Sequence, residues 1–256
     1  MKISVITCVL NNSENIKDAI KSFQNQTYKN KEHIIIDGGS TDDTLNIIEN
    51  YKDRDLSLFS SKDEGIYHAI NKGINLSSGY IIGILHSDDF YNNNNVITDV
   101  ANMYDTMDVD LVYGDLEYVS KKSPHKKIRN WNAGEFKETN LKKGWMPPHP
   151  TCFIKRSLFD EFGLYSLNYK IASDFDFLVR IFYGREIKWS YVNQVTVKMK
   201  QGGISNSGWQ SKKLIMNEIK RSLRSNGIWS LYIFQLIRYL IRLIEVLIKP
   251  KKGECD

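Results

Sequence analysis

Two adjacent carboxylates, Asp88 and Asp89, close the run Gly-Tyr-Ile-Ile-Gly-Ile-Leu-His-Ser-Asp-Asp over residues 79–89. Tyr80 to Leu85 shows little polar alternation, the pattern of a strand buried on both faces, and a polar loop, Asn92 to Asn95, follows. Two carboxylates at close range resist joint ionisation unless positive charge sits against them. A divalent cation such as Mg²⁺ or Mn²⁺, which prefers carboxylate oxygen, would supply it; a solvated turn is the plainer alternative. Other acids stand at comparable junctions. Asp37 follows the apolar Ile34–Ile36 and precedes Gly38-Gly39, and Asp63 stands two residues ahead of Gly65. Asp174 and Asp176 follow Ser173 in what reads as the first turn of a helix, where negative charge is favourable. His68 and His86 belong to no His/Cys cluster of ligand spacing and are not read as metal ligands.

These side chains need a frame that brings strand ends to one edge. Lys2 to Val9 is rich in β-branched residues and reads as a strand. Asn12-Ser13 offers a cap to a helix in which Ile16, Ala19, Ile20 and Phe23 recur at helical spacing. His33 to Asp37 is a second strand, and Ser40 or Thr41 caps a helix reaching about Tyr51. Asp55 to Ser60 is a third strand, Gly65 to Ile74 a short helix, and the run before Asp88 a fourth strand. This alternation predicts an α/β fold with a parallel, doubly wound sheet, whose ligands bind beyond the carboxyl ends of the strands. Asn11, Asp37, Asp63, Asp88 and Asp89 all fall there. Further on, the pattern gives a helix Val96–Met107, a strand Asp110–Tyr113, an alternating ribbon Asp115–Trp131 and a proline-stiffened loop Gly144–Pro150. A strand Thr151–Ile154, the Ser173 helix, strands Ile187–Tyr191 and Val195–Met199, and a helix about Gln210–Ser225 complete it.

At 256 residues, 41% hydrophobic and 25% charged, the chain suits one domain plus an appendage. The net charge of +5 comes without an Arg-rich cluster interleaved with aromatics, which sets nucleic-acid binding aside. Cys8, Cys152 and Cys255 are odd in number and far apart, which points to a reducing compartment. The first residues turn polar too soon for a signal peptide. A cytoplasmic catalytic body is expected.

In combination these segments resemble the family 2 glycosyltransferases of the GT-A fold. The resemblance rests on Ser-Val-Ile-Thr over 4–7 with Asn11, Ile-Asp-Gly-Gly-Ser-Thr-Asp over 36–42, Gly-Ile-Tyr-His-Ala-Ile-Asn-Lys-Gly over 65–73, Ser-Asp-Asp over 87–89, and the acidic segment at Asp174. It runs in order from Lys2 to Ser205 and is nearest the bacterial branch that builds colanic-acid-like capsular and cell-surface polysaccharides. Three positions depart from that branch: Leu10 where Tyr is common, His68 where Asp often follows the Tyr, and His86 where Asp or Asn is usual.

The resemblance implies a Rossmann-like, mostly parallel sheet over residues 1–205 and a metal-dependent, inverting glycosyltransferase. Its donor would be a nucleotide diphosphate sugar, UDP-linked, and its acceptor a cell-envelope polysaccharide or a lipid-linked glycan. Donor contacts fall to Thr7, Cys8, Asn11, Asp37, Gly39, Ser40, Asp63, Gly65, Tyr67, Asn71 and Asp88, and the metal, Mg²⁺ or Mn²⁺, to Asp88 and Asp89. A carboxylate at Asp37 is acceptor-only and suits the N3–H of uracil; helix capping is its structural alternative. Asp174 matches the family's general base, with Asp176 as its rival, and His149 and Trp145 fall on the acceptor side. The substitutions at Leu10, His68 and His86 also admit a nucleotide-sugar-binding subunit without transfer activity. Residues 206–256 form helices outside the shared fold. In 227–252 the polar residues Gln235, Arg238, Arg242, Glu245 and Lys249 make one narrow stripe on a densely apolar helix. Arg238, Arg242 and Glu245 disfavour a lone membrane span. Lying in the interface, with Lys249, Lys251 and Lys252 on anionic headgroups, suits the stretch better, peripheral on the inner face of the plasma membrane; packing on the domain or on a second copy in a homodimer is the other option.

Overall fold

A computed structural model describes residues 1–121, 123, 126–202 and 209–229. Its N-terminal half is parallel: β1 (Ile3–Val9) lies between β2 (Lys31–Asp37) and β4 (Ile81–Ile84), and β3 (Leu56–Ser60) flanks β2. Side chains alternate across these strands. Ile6, Ile34 and Ile36 face α3 (Ile66–Leu76), while Val5, Val9 and Ile35 face α1 (Ile16–Gln24) and α2 (Thr44–Asn50). Helix α3 lies so close to the sheet that a Cβ on Gly73 would stand 2.4 Å from the Ile6 side chain, so only glycine fits.

Beyond β4 the sheet becomes mixed. β8 (Phe153–Lys155) runs antiparallel to β4 and to β6 (Leu111–Val119), and β9 (Trp189–Lys200) runs parallel to β6. β5 (Asp89–Tyr91) pairs antiparallel with β9, and β7 (Lys127–Trp131) with β6. Helices α4 (Val96–Thr106), α5 (Arg156–Phe162), α6 (Ser173–Phe182) and α7 (Trp209–Ser225) complete the layers.

The elements differ from the sequence reading at several points. The acids at 88–89 do not end in a loop: Asp89 opens β5, too short to be read as a strand and formed because β9 offers it an edge. Residues 189–200 make one strand rather than two, with the irregularity taken up by register shifts around Asp115 of β6. Helix α2 starts at Thr44, because Ser40 and Thr41 are engaged in the loop before it. Ser173 does not cap α6; Ala172 does, and the Ser173 hydroxyl donates to the Ser166 carbonyl at 2.8 Å.

Helix α7, placed by sequence in the C-terminal appendage, packs Ile219 and Leu223 into the main core together with Ile228 beyond its end. The amides of Gly227 and Ile228 return to the carbonyls of Arg224 and Leu223 (3.0 and 2.8 Å), closing the helix as a Schellman turn. The apolar tail from residue 230 lies outside the described residues. Among the described residues no helix is long and apolar enough to cross a membrane.

Candidate active site

The loops after β1, β2 and β3 are tied together at the carboxyl edge. Asn11 has a left-handed backbone (φ 47°), the sole non-glycine residue of that kind among the described ones, and such strain persists where surroundings enforce it. The ties that hold it are explicit: its N–H donates to Ser40 Oγ at 2.8 Å and its Oδ1 accepts the Thr41 N–H at 2.8 Å. Asp37 is wholly buried. Its carboxylate accepts from the Gly39 N–H (3.0 Å), the Ser40 N–H (3.1 Å) and the Ser60 hydroxyl (2.6 Å). The expected uracil contact is therefore corrected: Asp37 fixes the turn that presents Gly39 and Ser40, and reaches no ligand unless that turn opens. Thr7 is also turned inward, onto the α1 face, where its hydroxyl meets His33 Nε2 at 2.8 Å. Cys8, on the opposite face of β1, is only half-buried, and burial first and the charge of Asp63 second push its thiol pKa up. Asp63 holds the Gly65 N–H at 2.9 Å with one oxygen, and its other oxygen lies 2.6 Å from where a Gly38 Cβ would be. Gly65 itself is exposed, with nothing within 4 Å of its Cβ position, directly ahead of α3.

The two acids after β4 separate cleanly. Asp88 is partly exposed; Asp89 is fully buried, with neither oxygen in a hydrogen bond. Burial first and the charge of Asp88 second hold the Asp89 carboxyl well above the usual carboxylate range, while Lys200 acts in the other direction. Of the two acids, Asp88 is the one open to a cation arriving from solvent, while both oxygens of Asp89 are enclosed. Among the described residues no three His, Cys, Asp or Glu side chains form a metal cluster. One open carboxylate fits Mg²⁺ or Mn²⁺ held chiefly by substrate phosphate oxygens and water, rather than a resident metal centre.

Across the edge, α3 meets the segment before α6. The Tyr67 hydroxyl donates to the Ile171 carbonyl and stands 3.4 Å from Asp174 Oδ1. Asn71 clamps Tyr165 from both sides, donating to its carbonyl (2.8 Å) and accepting its N–H (3.0 Å). Tyr67, buried, and Asn71, half-buried, are read from sequence as donor contacts; in the structure their polar groups hold the segment before α6. The acids at 174 and 176 also part company. Asp176 is buried, taken by Arg180 Nε at 3.0 Å and the Ser222 hydroxyl at 2.8 Å, whereas Asp174 is half-buried, with Oδ1 accepting the Phe175 N–H at 2.8 Å. His149 is a second correction on this side. Its ring is buried, Nε2 lies 2.8 Å from the Tyr165 hydroxyl, and burial and the neighbouring His86 lower its pKa to about 3. It supports Tyr165 and offers no face to an acceptor. Trp145 is half-buried and stacks on Phe136 with ring centroids 6.0 Å apart.

On this side His149 bonds Tyr165, and Tyr165 stacks on Tyr67 beside Asp174. Sequence reasoning missed Tyr165, Ser60 and Glu218, whose carboxylate holds the segment before Asp174. Glu218 alone left a trace: it falls between Ile215 and Ile219 and ahead of Ser222 and Leu223, on the buried stripe of α7.

A family model described as Glycosyl transferase family 2 matches residues 4–163. The chain belongs to glycosyltransferase family 2. A PGL/p-HBAD biosynthesis glycosyltransferase of Mycobacterium tuberculosis is 31% identical over 210 residues, covering 80% of this chain and 79% of the relative. An uncharacterised glycosyltransferase of the same species is 28% identical over 192 residues, with 70% and 68% covered. These relatives are mycobacterial, so the colanic-acid branch expected from sequence does not follow from them. Among solved structures, S. aureus TarS 1–349 in complex with UDP-GlcNAc superposes with a TM-score of 0.69 at 20% identity, covering 87% of this chain and 66% of that one. The mannosyltransferase PcManGT of Pyrobaculum calidifontis, in complex with GDP-Man and Mn²⁺, gives 0.60 at 14% identity, with 97% and 81% covered. At these identities the likeness shows the fold, GT-A.

Proposed function

We propose that the family 2 glycosyltransferase described here moves a sugar, with inversion, from a UDP-sugar to a cell-envelope polysaccharide or lipid-linked acceptor, with a divalent cation at Asp88. The observation that carries this reading is the division of labour within the acid pairs. One acid of each pair is buried, and the other, Asp88 or Asp174, is partly exposed. In this reading Asp174 takes the proton of an acceptor hydroxyl as its oxygen attacks the anomeric carbon. The bond from that carbon to the diphosphate oxygen breaks in the same displacement, and the nucleoside diphosphate leaves. A single displacement with no protein nucleophile inverts the anomeric centre. Mg²⁺ or Mn²⁺, when bound, neutralises charge on the departing diphosphate. The Gly39–Ser40 turn and the free amides at the start of α3 suit the remaining polar groups of the nucleotide. The nucleotide sugars bound in the TarS and PcManGT structures, and the Mn²⁺ in the latter, support a nucleotide-sugar donor and a divalent cation for this fold.

The test is calorimetric binding of UDP-, GDP- and dTDP-linked sugars with Mn²⁺ and with chelator. UDP-sugar binding that needs Mn²⁺ and disappears in Asp88→Asn is expected. Full binding in chelator overturns the cation assignment, and preference for a GDP-sugar overturns the donor.

A further inference from the structure

The segment ahead of Asp174 carries three consecutive backbone amides that point away from solvent. All three end on one side chain. Glu218 Oε1 accepts the Lys170 N–H at 2.8 Å, and Oε2 accepts those of Ile171 and Ala172 at 3.0 and 2.9 Å. Glu218 is only 5% exposed, and a buried carboxylate is tolerable where such amides satisfy it. Its neighbours on α7 tighten the same segment: Arg221 donates to the Asn168 carbonyl and lies over the Tyr169 ring at 4.2 Å. From the other side, Tyr67 holds the Ile171 carbonyl and Asn71 holds Tyr165. The residue gripped last, Ala172, is the N-cap of α6, two positions before Asp174.

We infer that Glu218 is a positioning residue for transfer: its carboxylate, from a helix outside residues 4–163 matched by the family model, sets where Asp174 stands. The inference rests on Asp174 being the base. Three parallel N–H groups demand an acceptor with two oxygens. A glutamine of the same size presents one oxygen and turns an NH₂ toward an amide, leaving a buried donor unmet. Relief comes from movement of the 170–172 backbone, and a shift of about 1 Å at a reacting group costs on the order of 10²-fold in rate. The proposed donor contacts lie on the loops after β1 to β4 and at the start of α3, to which Glu218 makes no hydrogen bond, so donor affinity is unaffected.

The experiment compares the parent with Glu218→Gln, Asp174→Asn and Ile219→Val, the last a buried α7 residue that touches none of the three amides. Read-outs are Tm, calorimetric binding of UDP with Mn²⁺, nucleoside diphosphate release from UDP-, GDP- and dTDP-sugars, and amide exchange across 165–174. For Glu218→Gln, UDP binding as in the parent, kcat lower by about 10²-fold at unchanged donor KM, and faster exchange at residues 170–172 are expected. Ile219→Val should lower Tm and keep kcat. If Glu218→Gln does not fold, Glu218→Asp, which keeps the charge on a shorter stem, takes its place with the same read-outs. Parental kcat in the Glu218 variant, a kcat loss matched by Ile219→Val, or unchanged exchange at 170–172 overturns the inference. Parental kcat in Asp174→Asn instead overturns the assignment of the base. If the parent releases nucleotide from no donor, the failure belongs to the proposed reaction, and exchange at 170–172 alone decides whether Glu218 holds the segment.

Discussion

Asp174 and Asp176 are two residues apart on one helix, yet their environments assign them opposite work, and this makes the base testable. Asp174→Asn keeps donor binding and loses transfer by about 10²–10⁴-fold, the range for a removed general base. Asp176→Asn breaks a buried pair with Arg180 and the bond from Ser222, and should lower stability by about 3 kcal/mol. Steady-state kinetics beside urea titrations separate the two, and a stable but inactive Asp176→Asn would reverse the assignment. A second prediction concerns His33, fully buried, with Nδ1 unpartnered and its pKa lowered by burial to about 3. The unfolded chain takes up a proton near pH 6.5 and the folded one does not, so stability present above that pH is lost as pH falls toward 3. The loss is about 2 kcal/mol between pH 7 and pH 5. In His33→Gln, whose amide can still reach Thr7, the fall over that range should shrink by about that amount in urea titrations; an unchanged fall refutes the assignment. At this scale the sequence showed which acids gather at strand ends but not which way each side chain turns. Asp37, Asp89 and Asp176 are enclosed by partners distant in sequence, Ser60, β9 and Ser222, which no local pattern announces.

The strands and helices that local periodicity could specify were the legible ones. Strands β1 to β4 and helices α1 and α3 fall within a few residues of where the sequence puts them: β1, β2 and β4 are short apolar, β-branched runs buried on both faces, and the buried residues of α1 and α3 recur at helical spacing. Helix α5 and strand β5 were not legible, since seven and three residues are too few to show a period. One loop junction gives a prediction at this scale. A Cβ on Gly38 would stand 2.6 Å from Asp63, forcing apart the loops after β2 and β3. Gly38→Ala should weaken UDP binding about tenfold, ~1.4 kcal/mol, with a Tm close to the parent's. Calorimetry checks it, and parental affinity would show that the Asp63 loop is not part of the donor site.

At the scale of the molecule, the described chain ends with Ile228 buried beside Leu223 and Trp229 81% exposed, so a truncation at Trp229 keeps every described core residue. The apolar, lysine-ended stretch beyond it should carry the whole chain up in flotation with anionic liposomes, while the fragment 1–229 stays behind. Equal flotation of both, or a soluble dimer that the truncation makes monomeric, would assign the tail to protein contacts. The order of the motifs made the family legible; the role of α7 was not, because its acid acts on backbone amides that carry no side-chain signature. The late partner of β5 has a consequence for synthesis. The strands β3-β2-β1-β4 can pair as soon as Ile84 has emerged, but Asp89 obtains its edge only from Met199, and the Ala172 amide its carboxylate only from Glu218. A nascent chain stalled between residues 175 and 190 would hold the loops after β1, β2 and β3 next to an unpaired β5 and an Asp174 segment still without its carboxylate partner.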